Sequence, residues 1–251
     1  MQSTPLLSKI FGRQHRHDKI MQILADTHPG GKVLDLGARE GIISKKMRDA
    51  GFEVTAADAV MAVPADYGLQ RVAADFNGTL PFRSACFDVV TTFNTIEELE
   101  SPFTFIGECA RVLRPGGFLL LGSPNVLNLQ ARVATCFTGF HRFNGRPANE
   151  VTTGKWGGQR MNFQDYFRLR YNMHRNGFRI TAVSSHHFSN KAMLLAPLYL
   201  PVALFTSLAM AKEKNPLQRQ CNAQIYRHLT SADLMFGRHV FILAEKIAAN
   251  R

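Results

Sequence analysis

The sequence predicts an α/β fold in which a mostly parallel sheet of seven strands is covered by helices on both faces. Two observations carry that expectation. Short apolar runs alternate with helical patterns through the first half of the chain. Asp35, Asp58, Asp75 and Asn94 all fall at or just past the carboxyl ends of those runs, the edge at which such sheets bind ligands.

Taken in order, Ile20, Met21, Ile23 and Leu24 have near-helical spacing, so a leading helix is expected over residues 17–27, stopped by Pro29-Gly30-Gly31. Residues 32–36 form the first strand, 42–50 a helix closed by Gly51, and 53–57 the second strand. A weak third strand at 70–73 and a strong fourth at 87–92 follow. A helix over 103–113 and the turn Arg114-Pro115-Gly116-Gly117 lead into a fifth strand at 118–122. Residues 124–159, rich in Asn, Gly, Arg and aromatics, are expected to form a helix and a covering loop. A helix at 163–176, a strand at 178–184 and a last strand at 239–244 complete the pattern. The chain is expected to be one domain: a leading helical segment 1–31, a ligand-binding core 32–123 and a substrate-side half 124–251, with an apolar helical insertion at about 189–236 before the last strand.

Composition narrows the function. The length suffices for a full core, at 45% hydrophobic residues. Cys86, Cys109, Cys136 and Cys221 form no CxxC pair, which argues against a zinc site or redox dithiol and fits a reducing, cytoplasmic compartment. Residues 1–14 lack an apolar core followed by a small-residue cleavage site, so no secretory signal is expected. The net charge of +11 raises nucleic acid as a partner, but the basic residues are dispersed and match no base-reading module. An anionic membrane surface explains the charge equally well. Oligomerisation is left open.

A strand that ends at glycine and feeds a helix presents free N–H groups to a ligand. The turn Asp35-Leu36-Gly37-Ala38-Arg39-Glu40-Gly41 has this form. A dinucleotide fingerprint would need G-x-G-x-x-G, and Arg39 occupies the position between the glycines; a catalytic Tyr-x-x-x-Lys is absent too. A nicotinamide oxidoreductase is therefore disfavoured. Asp58, about twenty residues on, is placed to accept bonds from ribose hydroxyls, and Asp75-Phe76 to hold an adenine amino group and ring.

Residues 33–41, Asp58, Asp75 with Leu80-Pro81-Phe82, Phe87-Asp88-Val89-Val90 and Ala110-Arg111-Val112-Leu113-Arg114-Pro115-Gly116-Gly117 together resemble the class I S-adenosylmethionine-dependent methyltransferases of the type 11 and type 23 kind, whose fold is Rossmann-like. The resemblance covers roughly residues 20–125. It implies S-adenosylmethionine as cofactor, S-adenosylhomocysteine as product, and no metal. It also assigns cofactor contacts: Asp35 and Gly41 in the turn, Gly37 and Ala38 along the methionine portion with Asn94 beside it, Asp58 at the ribose, Asp75 and Phe76 at the adenine. Arg16 or Arg39 would meet the cofactor carboxylate. Two departures stand out: Arg39 replaces the middle glycine of the motif, and Glu98 stands where many relatives carry histidine. They motivate a third reading, a cofactor-binding scaffold with a degenerate site.

Methyl transfer to a hydroxyl benefits from a general base, and the candidates are His141, Glu97 and Glu98, with His186 and His187 in the variable half. The acceptor clue is residues 192–211, about twenty residues without a charge, flanked by Lys191, Lys212 and Lys214. Pro197 and Pro201 interrupt it, and a true span would separate the last strand from its sheet. An interfacial helical element is expected, with packing on the domain or at a dimer interface as the alternative. The run Ser123-Pro124-Asn125-Val126 and the later Leu234-Met235-Phe236-Gly237-Arg238-His239 resemble, more loosely, bacterial methyltransferases of polysaccharide and lipid-linked glycan biosynthesis. That resemblance implies O-methylation of a sugar on a membrane-associated glycan at the cytoplasmic face. Small lipids or quinone precursors are the alternative acceptors.

Overall fold

A computed structural model describes residues 16–28, 30–139 and 162–247. The chain enters through α1 (Arg16–Thr27) and reaches the interior strand β1 (Lys32–Leu36). Next come α2 (Ile42–Asp49), β2 (Glu53–Asp58), the short edge strand β3 (Gln70–Ala73) and β4 (Phe87–Phe93). Beyond these, α3 (Pro102–Val112) leads into β5 (Leu113–Pro124), and α4 (Leu129–Thr138) follows. The second half supplies α5 (Tyr166–Arg175), β6 (Phe178–Ser184), α6 (Asn190–Met193), α7 (Tyr199–Ala211), α8 (Pro216–Leu229), α9 (Ala232–Phe236) and β7 (His239–Lys246).

The seven strands form one sheet in the order β3-β2-β1-β4-β5-β7-β6. Period-two alternation divides their side chains between two layers. Leu34, Leu36, Val90, Leu119 and Leu121 face α3 and α5, while Val33, Val89 and Leu120 face α1 and α2. Both faces are covered, so β1 and β4 are buried along most of their length. β3 lies at the edge with little of it buried, which is why its sequence signal is weak.

β7 is antiparallel to both β5 and β6, and the insertion is the reason. β6 ends at Ser184 on the carboxyl edge; the chain leaves through α6–α9 and returns to that same edge, where His239 pairs with Pro124. Gly237 and Asn125 seal this closure. Asn125 Nδ2 donates to Leu234 O (2.8 Å) and Gly237 O (2.9 Å), and a Cβ on Gly237 would meet Asp233 O at 2.2 Å.

Some boundaries differ from expectation. β5 starts at Leu113, not at residue 118, because Leu113 pairs with Phe87 and Phe118 with Val89. The Arg114-Pro115-Gly116-Gly117 turn is thus a bulge within the strand, with Gly116 at φ +79°. The helix expected over 163–176 begins at Tyr166, where the Asp165 carboxylate caps Arg168 N–H, and ends at Arg175. Of the helix and covering loop expected over 124–159, the residues past Gly139, with the base candidate His141, lie outside the described residues. Among the described residues, no helix is long and apolar enough to cross a membrane.

Candidate cofactor site

The site begins where β1 stops. Gly37, at φ +81°, turns the backbone so that Gly37 N–H and Ala38 N–H both donate to Ala57 O on β2 (2.9 and 3.2 Å). A Cβ on Gly37 would lie 2.1 Å from Thr95 Oγ1, and one on Gly41 (φ +70°) 2.7 Å from Val63. Positive φ and close neighbours therefore both require glycine. The turn itself accounts for the glycines, and the case for a ligand rests on the polar groups around them.

Those groups converge from three strand ends. Asp58, last residue of β2, accepts from Arg39 N–H (2.8 Å) and Val60 N–H (3.0 Å) and so clamps the glycine turn. Its carboxylate remains partly exposed, with lone pairs left for further donors. Asn94 follows β4 in the left-handed region (φ 54°), its N–H donating to Gly122 O (2.8 Å). The next residue, Thr95, sits against Leu36 O (3.3 Å) and closes the floor. α2 begins at Gly41 without a side-chain cap, leaving its first amide N–H groups to solvent or ligand. Asp75 is exposed beyond β3, one oxygen accepting from Asn77.

Two assignments change. Asp35 does not face the crevice. It is 1% exposed, and its oxygens accept from Ser44 (2.5 Å) and Thr91 (2.8 Å) hydroxyls. Burial, against the pull of those two bonds, raises its pKa to about 6. Asp35 thus ties β1 to α2 and β4 and positions the turn from beneath. Phe76 is buried against Phe105 (ring centroids 5.9 Å apart), so its ring cannot cover an adenine. The exposed apolar side chain beside Asp58 is Val60, which sequence reasoning missed; an apolar residue two positions past a strand-end acid was its signal.

The two departures from the family pattern meet each other. Arg39, itself left-handed (φ 50°), reaches across to Glu98, Nη2 to Oε1 3.2 Å. The pair joins the β1 turn to the short helical turn Ile96–Glu98 after β4. Arg39 points outward from the turn, and Glu98 is its partner. Glu97 is fully enclosed, its carbonyl accepting from Asn162 N–H (3.0 Å), which withdraws its carboxylate from an acceptor in this conformation.

A second constellation occupies the same edge further along the sheet. His186 and His187 follow β6 and His239 opens β7; the rings of His186 lie 4.5 Å from His187 and 5.3 Å from His239. Burial first, then His187, Arg16 and Arg238, pushes His186 down to about 4. Burial, His186, Arg16, Arg238 and His187 push His239 down to about 3. Both imidazoles are therefore neutral near pH 7. Arg16 belongs to this cluster. His239 was hidden in an apolar strand run, with no local signal. Among the described residues, no group of three or more His, Cys, Asp or Glu side chains is arranged to hold a metal.

The strand order, with β7 antiparallel to its neighbours, is that of the Rossmann-like class I methyltransferase fold. Residues 34–121 match the family model described as a methyltransferase domain. A Mycolicibacterium smegmatis protein assigned as an S-adenosylmethionine-dependent methyltransferase is 34% identical over 130 residues, 50% of this chain and 51% of its own. A ubiquinone biosynthesis O-methyltransferase of Xanthomonas campestris is 34% identical over 110 residues, 39% of this chain and 44% of its own. The chain spans about half the length of the curated relatives it matches. A solved Bacillus halodurans structure assigned as a methyltransferase superposes with TM-score 0.58 at 17% identity, over 93% of this chain and 99% of that one. At that identity the likeness speaks for the fold alone.

Proposed function

We propose that this chain transfers a methyl group from S-adenosylmethionine to a hydroxyl of a sugar in a membrane-associated or lipid-linked glycan. The observation that carries the methyl-transfer reading is the convergence of Asp58, Asp75 and the Gly37 turn at one strand edge, within the segment that matches the methyltransferase domain. The residues fit the cofactor. Asp58 accepts from the ribose hydroxyls, Val60 packs beside the adenine, Asp75 meets its amino group, and Gly37 with Ala38 leaves room for the methionine portion. The cofactor supplies a methyl group on a good leaving group, so the protein mainly aligns the acceptor and excludes water. His186 is neutral near pH 7, but burial holds it at about 4, well below the working range of a general base, so alignment of acceptor and methyl group carries the reaction.

The sugar acceptor rests on the loose resemblance of the second half and on a basic chain that also exposes apolar surface. A lipid or quinone acceptor is the second reading, favoured by the ubiquinone O-methyltransferase among the relatives.

Calorimetry with S-adenosylmethionine and S-adenosylhomocysteine tests the cofactor. If neither binds, methyl transfer is refuted. Asp58→Ala is expected to weaken binding by roughly 1.5–3 kcal/mol, the range for a charge-assisted hydrogen bond, and unchanged affinity would remove its ribose role. Mass spectrometry of glycans and lipids from cells with and without the protein separates the acceptors by where a single methylene mass is lost.

A further inference from the structure

The solvent face of α7 is inverted for a helix on a water-soluble surface. Leu200, Leu204 and Leu208 repeat at i, i+4, i+8 and are 74%, 58% and 53% exposed; Phe205 beside them is 70% exposed. None of the thirteen residues of α7 is buried. The approach to the helix continues the patch through Leu194 and Leu198. Ser207 is the only polar side chain among the exposed positions of α7.

The other side of the helix is anchored. Tyr199 Oη donates to Thr230 O (3.0 Å), and Thr206 and Met210 line an apolar cavity of about 340 Å³ with Leu127, Phe167 and Leu229. At the base of the insertion, Ser189 N–H donates to Phe236 O (2.8 Å) and Ser185 N–H to the Asp233 carboxylate (2.8 Å). α7 is thus held outward by a fixed support.

Charge frames the patch. Lys191 precedes it, Lys212, Lys214 and Arg219 follow it, and Glu213 is the only acid between Lys191 and Ala232. An apolar face with a cationic border is complementary to a bilayer with anionic headgroups, which takes the apolar side chains below the headgroups and the cations among them. The helix is about 20 Å long at 1.5 Å per residue, short of the roughly 30 Å hydrocarbon core, so it lies in the interface rather than crossing it.

We propose that α7 and the Leu194–Leu198 approach dock this protein on an anionic phospholipid bilayer. The inference deepens the glycan reading by naming the surface that brings the site to a membrane-held acceptor, and it stands on lipid binding alone.

The test is flotation of the full chain with vesicles of phosphatidylcholine alone or mixed with phosphatidylglycerol. The wild type is expected to float with the mixed vesicles, less with the neutral ones, and less again when salt shortens the screening length to about 3 Å. Leu204→Glu/Phe205→Glu should reduce partitioning by at least about a hundredfold through the loss of two buried apolar side chains. Both positions are exposed, and circular dichroism with S-adenosylmethionine calorimetry checks that the variant is intact. No flotation of the wild type, or equal flotation of the variant, overturns the proposal. So does a dimer that the variant dissolves and that binds no vesicle. Equal binding to both vesicle types overturns the commitment to an anionic surface. Because cofactor binding is measured separately, a failure of docking and a failure of the methyltransferase reading give different results.

Discussion

Replacing Asp35 with asparagine should stabilise the protein at neutral pH relative to wild type, with the advantage shrinking in acid. Asp35 is 1% exposed and accepts only two neutral hydroxyls, from Ser44 and Thr91. Burial outweighs those bonds, and the charge of Asp58 adds to it, so the carboxyl rises from 3.8 to about 6. An acid whose pKa is raised on folding binds its proton more tightly in the folded chain. Stability therefore falls as pH rises from about 3.8 to about 6 and levels off above that. A shift of about two units corresponds to about 3 kcal/mol. Asparagine has nearly the same shape and no charge at any pH. It keeps one acceptor, and its amide can donate to whichever hydroxyl turns to accept. Urea unfolding of both proteins at about pH 4 and about pH 8 should show the gap moving in favour of the variant by about 2.4 kcal/mol, because part of the effect is already present at pH 4. Parallel pH profiles would refute the titration of Asp35. A variant less stable at both pH values would mean that the carboxylate bonds outweigh its desolvation.

Two further outcomes follow from the same edge of the sheet. Gly37→Ala should cost roughly 2–4 kcal/mol, combining positive φ with overlap on Thr95 Oγ1, and adding Thr95→Ala should recover the overlap but not the backbone strain. Thermal unfolding measures both, and a single variant within about 0.5 kcal/mol of wild type would refute the packing account. His186, lowered from 6.5 to about 4, makes folding stability fall as pH drops through that window, because the unfolded chain takes up the proton first. Its ring should show no titration by NMR near the usual imidazole value, and a His186→Asn chain should have a flatter acid limb. A ring that titrates near 6.5 would contradict its burial.

Most of the sheet was legible in the residues. β1, β3 and β6 appear with the expected bounds, and β2, β4 and β7 differ only at their carboxyl ends. The runs of β1, β2, β4 and β7 are largely buried, and local apolar pattern records that burial. β5 was harder. Arg114-Pro115-Gly116-Gly117 is a turn by composition, yet Leu113 before it pairs with Phe87, and pairing depends on a strand remote in sequence. The site was legible in part for the same reason. Asp58 stands partly exposed and Asp75 exposed at or past strand ends as position alone suggested, whereas whether Asp35 and Phe76 point into the crevice or the core depends on Ser44, Thr91 and Phe105.

The sequence by itself determined the fold class, the order of strand-end acids and the apolar character of residues 192–211, because each is a local pattern of burial or turn chemistry. Tertiary structure alone decided that Arg39 and Glu98 are partners, that His186, His187, His239 and Arg16 form one cluster, and that α7 turns its leucines outward. Side chains fifty or more residues apart meet only once the sheet has set their positions. A uniformly apolar helix, moreover, carries no periodic signal to say which of its faces is covered.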